Sequence, residues 1–349
     1  MMPQPSTAAA ARTRWVRGAA LATFVVVLAV LPELVPPFYL FVLTRILILG
    51  LFATAFNIVF GFGGMPSLGH AAFFGVGAYV VGIATVRADL SFPMIAVLTV
   101  LAGAALGLVF GVLNLRARGI YLLLLTLALA QAVFGLAFQQ VDITGGDNGI
   151  FGITREGLPV PESLHAFYWL TIVVVAVCLG LMWVFMRSPV GMAITGLRES
   201  ESRLAATGYR VGAYRVYAFV VSGAFSAVAG LLDAYLLGSV SPSALSFLLS
   251  AEVMVFAILG GAAYFFGPLL GAAIILSLEL YVSTFTDRWT IVLGLLYVLT
   301  ALYLREGLLG RLAKVRRKRR ADTGSQAPAG EAGSRPVPDV DDLVKEPQP

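Results

Sequence analysis

Five ionisable residues interrupt the apolar stretches of this chain: Arg45, His70, Asp233, Glu252 and Glu279. A charge among lipid tails costs about 2.5–3.5 kcal/mol on insertion scales, so each is a candidate for function. Arg45 lies about two helical turns from one end of its stretch and can reach the headgroups along its own stem. Asp233 and Glu252 also lie near stretch ends, whereas Glu279 sits deeper and is the acid best placed to meet a solute. The set has neither the row of acids of a proton-coupled carrier nor the arginine series of a voltage sensor. Neutral polar groups at comparable depth are Asn57, Ser67, Thr126 and Gln131. With His70 and Glu279 they are the candidate lining of a translocation pathway. The same side chains could equally hydrogen-bond across helices.

Other chemistry has little to stand on. The two histidines, His70 and His165, are far apart, and the single cysteine, Cys178, lies in an apolar run. Neither an intramolecular disulfide nor a cysteine-based zinc site can be built, and no HExxH or GxSxG pattern occurs. The lysines are Lys314, Lys318 and Lys345, and none follows a glycine or precedes Ser or Thr. A phosphate-binding loop of the Gly-Lys-Ser/Thr kind is therefore absent, and no cofactor is expected in this chain. If ATP drives it, a separate subunit binds the nucleotide and its magnesium.

What remains is a membrane protein. Of the 349 residues, 59% are hydrophobic and 12% charged, against about 25% charged in soluble domains. A span needs about 20 apolar residues. The pattern predicts an all-α, polytopic bundle of about ten spans, near 16–34, 38–59, 67–86, 93–115, 119–139, 166–186, 213–237, 245–264, 267–285 and 289–305. Arg12, Arg14 and Arg17 before the first run resemble a signal peptide, but no small-x-small cleavage site follows, so it reads as a retained helix. Ten spans with both termini inside place these arginines, Arg116/Arg118, the Arg187–Arg215 loop and Arg316–Arg320 on the cytoplasmic side. Only Arg87, Arg155 and Arg288 fall outside, each alone in its loop. The basic pI is thus a positive-inside pattern rather than a nucleic-acid face. Residues 1–15 are expected to form a cytoplasmic lead, 16–310 the transmembrane domain, and 311–349 a basic stretch that can meet anionic lipid, followed by a tail too polar to bury a core.

Three stretches carry more than a span requires. The cytoplasmic loop 187–212 is long, helix-favouring and arginine-rich, which suits a docking surface better than a connector. Phe60–Tyr79 and Leu259–Ala273 each pair a Gly-Gly with a proline and a later Gly-Ala. Such interruptions mark either broken helices near a transport path or tight helix packing. The longest outside segment, Gln140–His165, holds D-I-T-G-G-D-N-G-I with turn-forming Gly145, Gly146 and Gly149.

Together these residues resemble the permease subunits of bacterial ABC importers for branched-chain amino acids, the LivM/LivH type, from about Leu40 to Leu304. The resemblance rests on Asn57–Tyr79, on R-G-I-Y-L-L-L-L-T-L-A-L-A-Q (Arg118–Gln131), on T-G-G-D-N-G-I (Thr144–Ile150) and on Arg187–Gly208. Met192 stands where an arginine is usual, Gln131 where an acid is common, and A-A-Y-F-F follows Gly260-Gly261 in place of a short G-x-G turn. The resemblance implies an inner-membrane subunit with several partners. Two cytoplasmic ATPases would dock on its loop, a second homologous permease would pair with it, and a periplasmic or lipid-anchored binding protein would deliver the solute. It implies a coupling helix near Gly196–Thr207, with Arg198, Glu199, Glu201 and Arg203 offering ion pairs and Ala205, Ala206 and Gly208 allowing close backbone contact. Branched-chain or other small hydrophobic amino acids would be the cargo. A urea or short-chain amide permease is the alternative within the family, and a stand-alone secondary transporter the alternative outside it.

Overall fold

The computed structural model describes residues 36–88, 90–155, 157–285, 289–303 and 307–311. The expected span 16–34, Arg288, the Arg316–Arg320 cluster and the polar tail lie outside the described residues. All elements below belong to one compact unit ending at Gly310; a second unit, Arg311–Pro349, contributes only Arg311 to the description.

The chain is predominantly helical. Helix α1 (Pro37–Asn57) runs on as a π-helical turn, Ile58–Phe62. Then follow α2 (Ala71–Val86), α3 (Phe92–Leu113), α4 (Ile120–Gln139), the single turn α5 (Val141–Thr144) and α6 (Leu164–Arg187). Two short helices, α7 (Pro189–Glu199) and α8 (Glu201–Ala206), precede the long α9 (Val211–Leu237). The last three are α10 (Phe247–Gly260), α11 (Gly267–Ser283) and α12 (Trp289–Tyr303). Among the described residues, five helices are long and apolar enough to cross a bilayer: α1 with its π turn, α3, α4, α6 and α9. Helices α2 and α10 are shorter than the spans expected for them, because each Gly-rich stretch breaks the helix, while α11 starts at Gly267 as expected and ends at Ser283. The chain leaves helix at 63–70 and again at 261–266.

Starts are written locally. Ser163, Ser188, Ser200 and Ser246 each accept a backbone N–H from the first turn of the helix they precede. Prolines occupy the first turns of α1, α3, α7 and α11, where a missing N–H costs nothing.

The core forms where α9 crosses α1, α2 and α3. Helices approach closely there because glycine removes the Cβ. A Cβ on Gly107 of α3 would lie 2.5 Å from the Phe219 carbonyl oxygen, and one on Gly230 of α9 would lie 1.9 Å from that of Phe74. Lipid gives no hydrophobic drive between helices, so such contacts hold the bundle. Substituting Gly230 by Val should force α2 and α9 apart and cost about 1–3 kcal/mol or more. A lowered melting temperature of the detergent-solubilised protein would report it; an unchanged one would refute the close packing. Helices α3, α4, α6 and α12 turn outward such residues as Leu101, Leu124, Val177 and Leu295, as a lipid-facing ring requires.

A two-residue antiparallel pair departs from the all-helical expectation: β1 (Ile150–Phe151) with β2 (Ser239–Val240), Ile150 opposite Val240. The T-G-G-D-N-G-I motif builds it. The Thr144 hydroxyl donates to the Gln140 carbonyl at 2.7 Å and closes α5. Gly149 at φ 77° then lets the chain lie against β2, where a Cβ would sit 2.1 Å from the Val240 carbonyl oxygen. At the same end Arg155 donates to the Tyr235 and Leu236 carbonyls at 3.1 and 3.2 Å, capping α9.

Candidate functional site

The end opposite the β pair carries loop 187–212. Ser188 and Pro189 end α6 and start α7 in one step, Ser188 Oγ accepting the Gly191 N–H at 3.3 Å. Helix α7 buries Gly191, Ala193, Ile194 and Leu197. Ser200 breaks it and caps α8, which buries none of its residues. A groove of about 200 Å³ lies between the two, lined by Gly196, Glu199, Ser200, Arg203, Leu204 and Thr207.

The charged residues of the loop divide by direction. Arg203 and Glu199 are exposed at the groove, and Ala205, Ala206 and Gly208 are exposed beyond it. Arg198 reaches back into the bundle and donates to the Gly61 carbonyl at 2.6 Å, inside the π turn of α1. Gly64 at φ 66° lets the Arg198 side chain lie flat on the backbone. Glu201 accepts from Arg215 and sits 3.0 Å from Arg118. Arg215 is buried and also donates to the Leu115 and Ala117 carbonyls, each at 3.1 Å. The loop is therefore fastened to α1 by one arginine and to the α3–α4 turn by a carboxylate between two others. These contacts were not foreseen, because nothing in the local pattern says which way a loop arginine turns.

Four of the expected pathway residues, Asn57, Ser67, His70 and Thr126, are fully buried and surround the first helix break. Irregular backbone at membrane depth persists only where protein groups satisfy it. Leu68 N–H donates to Thr126 Oγ1 at 3.2 Å, and Ala71 N–H to Ser250 Oγ at 2.9 Å. Asn57 Nδ2 donates to the Ala262 carbonyl at 3.1 Å, tying the first break to the second. His70 lies between Ser67, 2.8 Å from Nδ1, and Ser222, 3.1 Å from Nε2. The Ser222 hydroxyl donates to the Ala55 carbonyl at 2.7 Å, so its oxygen is left to accept. That assigns the proton to Nε2 and leaves Nδ1 to accept from Ser67. Phe56 and Phe73 stack edge-on against the ring. Gln131 is exposed on α4, apart from this group.

Both ring nitrogens of His70 are thus engaged within the protein. Replacing His70 by Phe should leave the buried Ser67 hydroxyl without its acceptor, Ser222 keeping its bond to the Ala55 carbonyl, and destabilise the fold by about 1–3 kcal/mol. Transport per folded molecule should stay near that of the natural chain. A large fall in uptake with unchanged melting would instead make His70 a solute ligand.

The remaining expected residue, Glu279, belongs to a separate cluster at the β-pair end. It lines a cavity of about 190 Å³ with Arg45. Arg45 also lines a second cavity, of about 240 Å³, with Asp233 and Glu252. Four helices, α1, α9, α10 and α11, so bring four of the five intramembrane ionisable groups to one region. Among the described residues no group of three His, Cys, Asp or Glu side chains could hold a metal ion.

Residues 38–301 match the family model described as branched-chain amino acid transport system / permease component. The branched-chain amino acid permease proteins LivM of Salmonella typhimurium and Escherichia coli are each 31% identical over 288 residues, covering 75% of this chain and 67% of theirs. The ribose import permease RbsC of Haemophilus influenzae is 30% identical over 211 residues, 55% of this chain and 62% of its own. No solved structure matches.

Proposed function

This chain belongs to the branched-chain amino acid transport permease family, and from that premise we propose that it is the membrane-spanning subunit of an ATP-driven importer for branched-chain or similar small hydrophobic amino acids. Two separate ATPases dock on α7 and α8, since the chain has no phosphate-binding loop of its own. A second homologous permease completes the pathway, and a periplasmic or lipid-anchored binding protein delivers the solute. The loop end faces the cytoplasm and the β-pair end the outside of a bacterial inner membrane, as the arginine distribution requires. Ten spans, both termini inside and a cytoplasmic segment from 311 onward complete this reading.

The observation that carries it is the pairing of an exposed helix with rigid fastenings. Helix α8 buries nothing and carries a groove, yet Arg198 and Glu201 tie the loop to the helix break and to the α3–α4 turn. A plain connector has no use for either. A docking lever needs both, because ATPase closure does work only if its movement reaches the transmembrane helices.

The test is recovery of the tagged chain from solubilised native membrane, followed by uptake in proteoliposomes. Co-recovery of two P-loop ATPases and a homologous permease, with ATP-dependent uptake of leucine, isoleucine or valine, is expected. Recovery of the chain alone, under conditions that preserve comparable complexes, would point to a stand-alone carrier.

A further inference from the structure

Arg45, Asp233, Glu252 and Glu279 come from four helices, yet they gather around two cavities that share Arg45. Arg45 is about 12 Å into α1, Asp233 and Glu279 about 6 Å from the ends of α9 and α11, and Glu252 about 8 Å into α10, at 1.5 Å per residue. Arg45 lines both cavities, with Asp233 and Glu252 on the wall of one and Glu279 on the wall of the other. Ionisable groups within a membrane gather where they can face one another or a cavity rather than lipid.

The cavity is built for a particular shape of molecule. Arg45 stands on one side, with Asp233 and Glu252 also on the wall. Ser241 and Ser243 add hydroxyls, and Leu49 and Leu237 an apolar surface. Helix α10 begins here, so its positive dipole end adds to the pull of Arg45 on an anion. At about 240 Å³ the space falls below the roughly 300–1,000 Å³ of sites for drug-sized ligands. The T-G-G-D-N-G-I motif supports the wall from behind, since β2, which it pairs, contributes Ser239 and Val240 to the lining.

We propose that this cavity is an entry subsite for an α-amino acid zwitterion, with Arg45 binding the carboxylate, Asp233 and Glu252 the ammonium, and the leucine wall the side chain. The proposal rests on the amino acid transport reading and adds residues and orientation to it.

The experiment uses the assembled complex in proteoliposomes carrying Ser243→Cys, with a membrane-impermeant thiosulfonate added outside. The natural Cys178 is buried and contributes little background. The thiol should be modified from outside, and saturating leucine should slow modification several-fold. Leucinol, which lacks the carboxylate, should not. Arg45→Gln should abolish the protection, and Arg45→Lys should restore part of it. If leucine is imported by the same vesicles but gives no protection, the subsite is overturned. Equal protection by leucinol would overturn the role of Arg45. If the unmodified complex imports no leucine, isoleucine or valine, the transport reading fails and the proposal with it. Should Arg45→Gln not assemble, protection by leucine but not leucinol in the Ser243→Cys chain still decides.

Discussion

Reversing the charge at Glu201 (Glu201→Lys) is expected to abolish ATP-driven uptake while ATP hydrolysis by the complex continues. Glu201 accepts from buried Arg215 and pairs with Arg118 at 3.0 Å. A lysine there sets a third cation beside two arginines and leaves Arg215 without its carboxylate. Breaking a buried pair from one side costs about 3–5 kcal/mol. Arg215 keeps its two carbonyl acceptors and Glu201 retains 25% side-chain exposure, so the lower figure applies. About 3 kcal/mol is on the order of a hundredfold fall in the equilibrium constant for holding α8 in place. The docked ATPases would then move a loop no longer attached to the α3–α4 turn. Uptake and phosphate release, measured in the same vesicles, should separate. Glu201→Gln, which keeps an acceptor, should be much milder. Arg203→Glu should behave differently, since Arg203 faces the groove and not the bundle; it should weaken recovery of the ATPases without changing the melting of the permease. Tight coupling in a verified Glu201→Lys complex would show that this contact transmits nothing.

The long spans were legible because an apolar run of 20 or more residues leaves few alternatives. The expectations 119–139, 166–186 and 213–237 lie within a few residues of α4, α6 and α9. The Gly-rich stretches were legible as irregularities but not as a kind. Gly61 lies in the π turn and Gly64 in the helix break that follows it, whereas Gly77, Gly107 and Gly230 serve close packing, and glycine content alone does not separate these uses. The β pair was hidden because its second strand, Ser239–Val240, follows a long helix and has only two residues. The site was read least well, for a related reason. The type of a polar residue at membrane depth announces a role, but its partner decides which. His70 was visible as a polar group at depth, but not its place between nearby Ser67 and distant Ser222. Arg198 was visible as a loop charge, but not its acceptor, a carbonyl 137 positions away. Arg45 and the acids were visible one by one, but their convergence depends on how four helices pack.

Gly61 is where these threads meet, and Gly61→Ala is expected to lower stability and coupling together. Its carbonyl accepts from Arg198 of the loop. Its missing Cβ leaves room on the other side, where a methyl would stand 2.0 Å from Asn57 Oδ1 and 2.2 Å from the Ala262 carbonyl oxygen. Neither neighbour can swing aside cheaply, since Asn57 is fully buried and bonded to Ala262, and the second is backbone. The π turn must therefore withdraw from segment 261–266. Overpacking of this kind costs about 1–3 kcal/mol, often more against backbone. The same withdrawal pulls the Gly61 carbonyl away from Arg198, so stability and coupling should fall together. Asn57→Ala separates the two effects. It loses the bond to Ala262 but also removes a buried amide oxygen that has no hydrogen-bond partner, and it leaves the Gly61–Arg198 contact alone. Its melting temperature should drop less than that of Gly61→Ala, and its uptake per ATP hydrolysed should stay close to that of the natural chain. A Gly61→Ala complex that melts and transports like the natural one would mean that the two helix breaks are not in tight contact. The path from loop to bundle would then run through Glu201 and Arg215 alone.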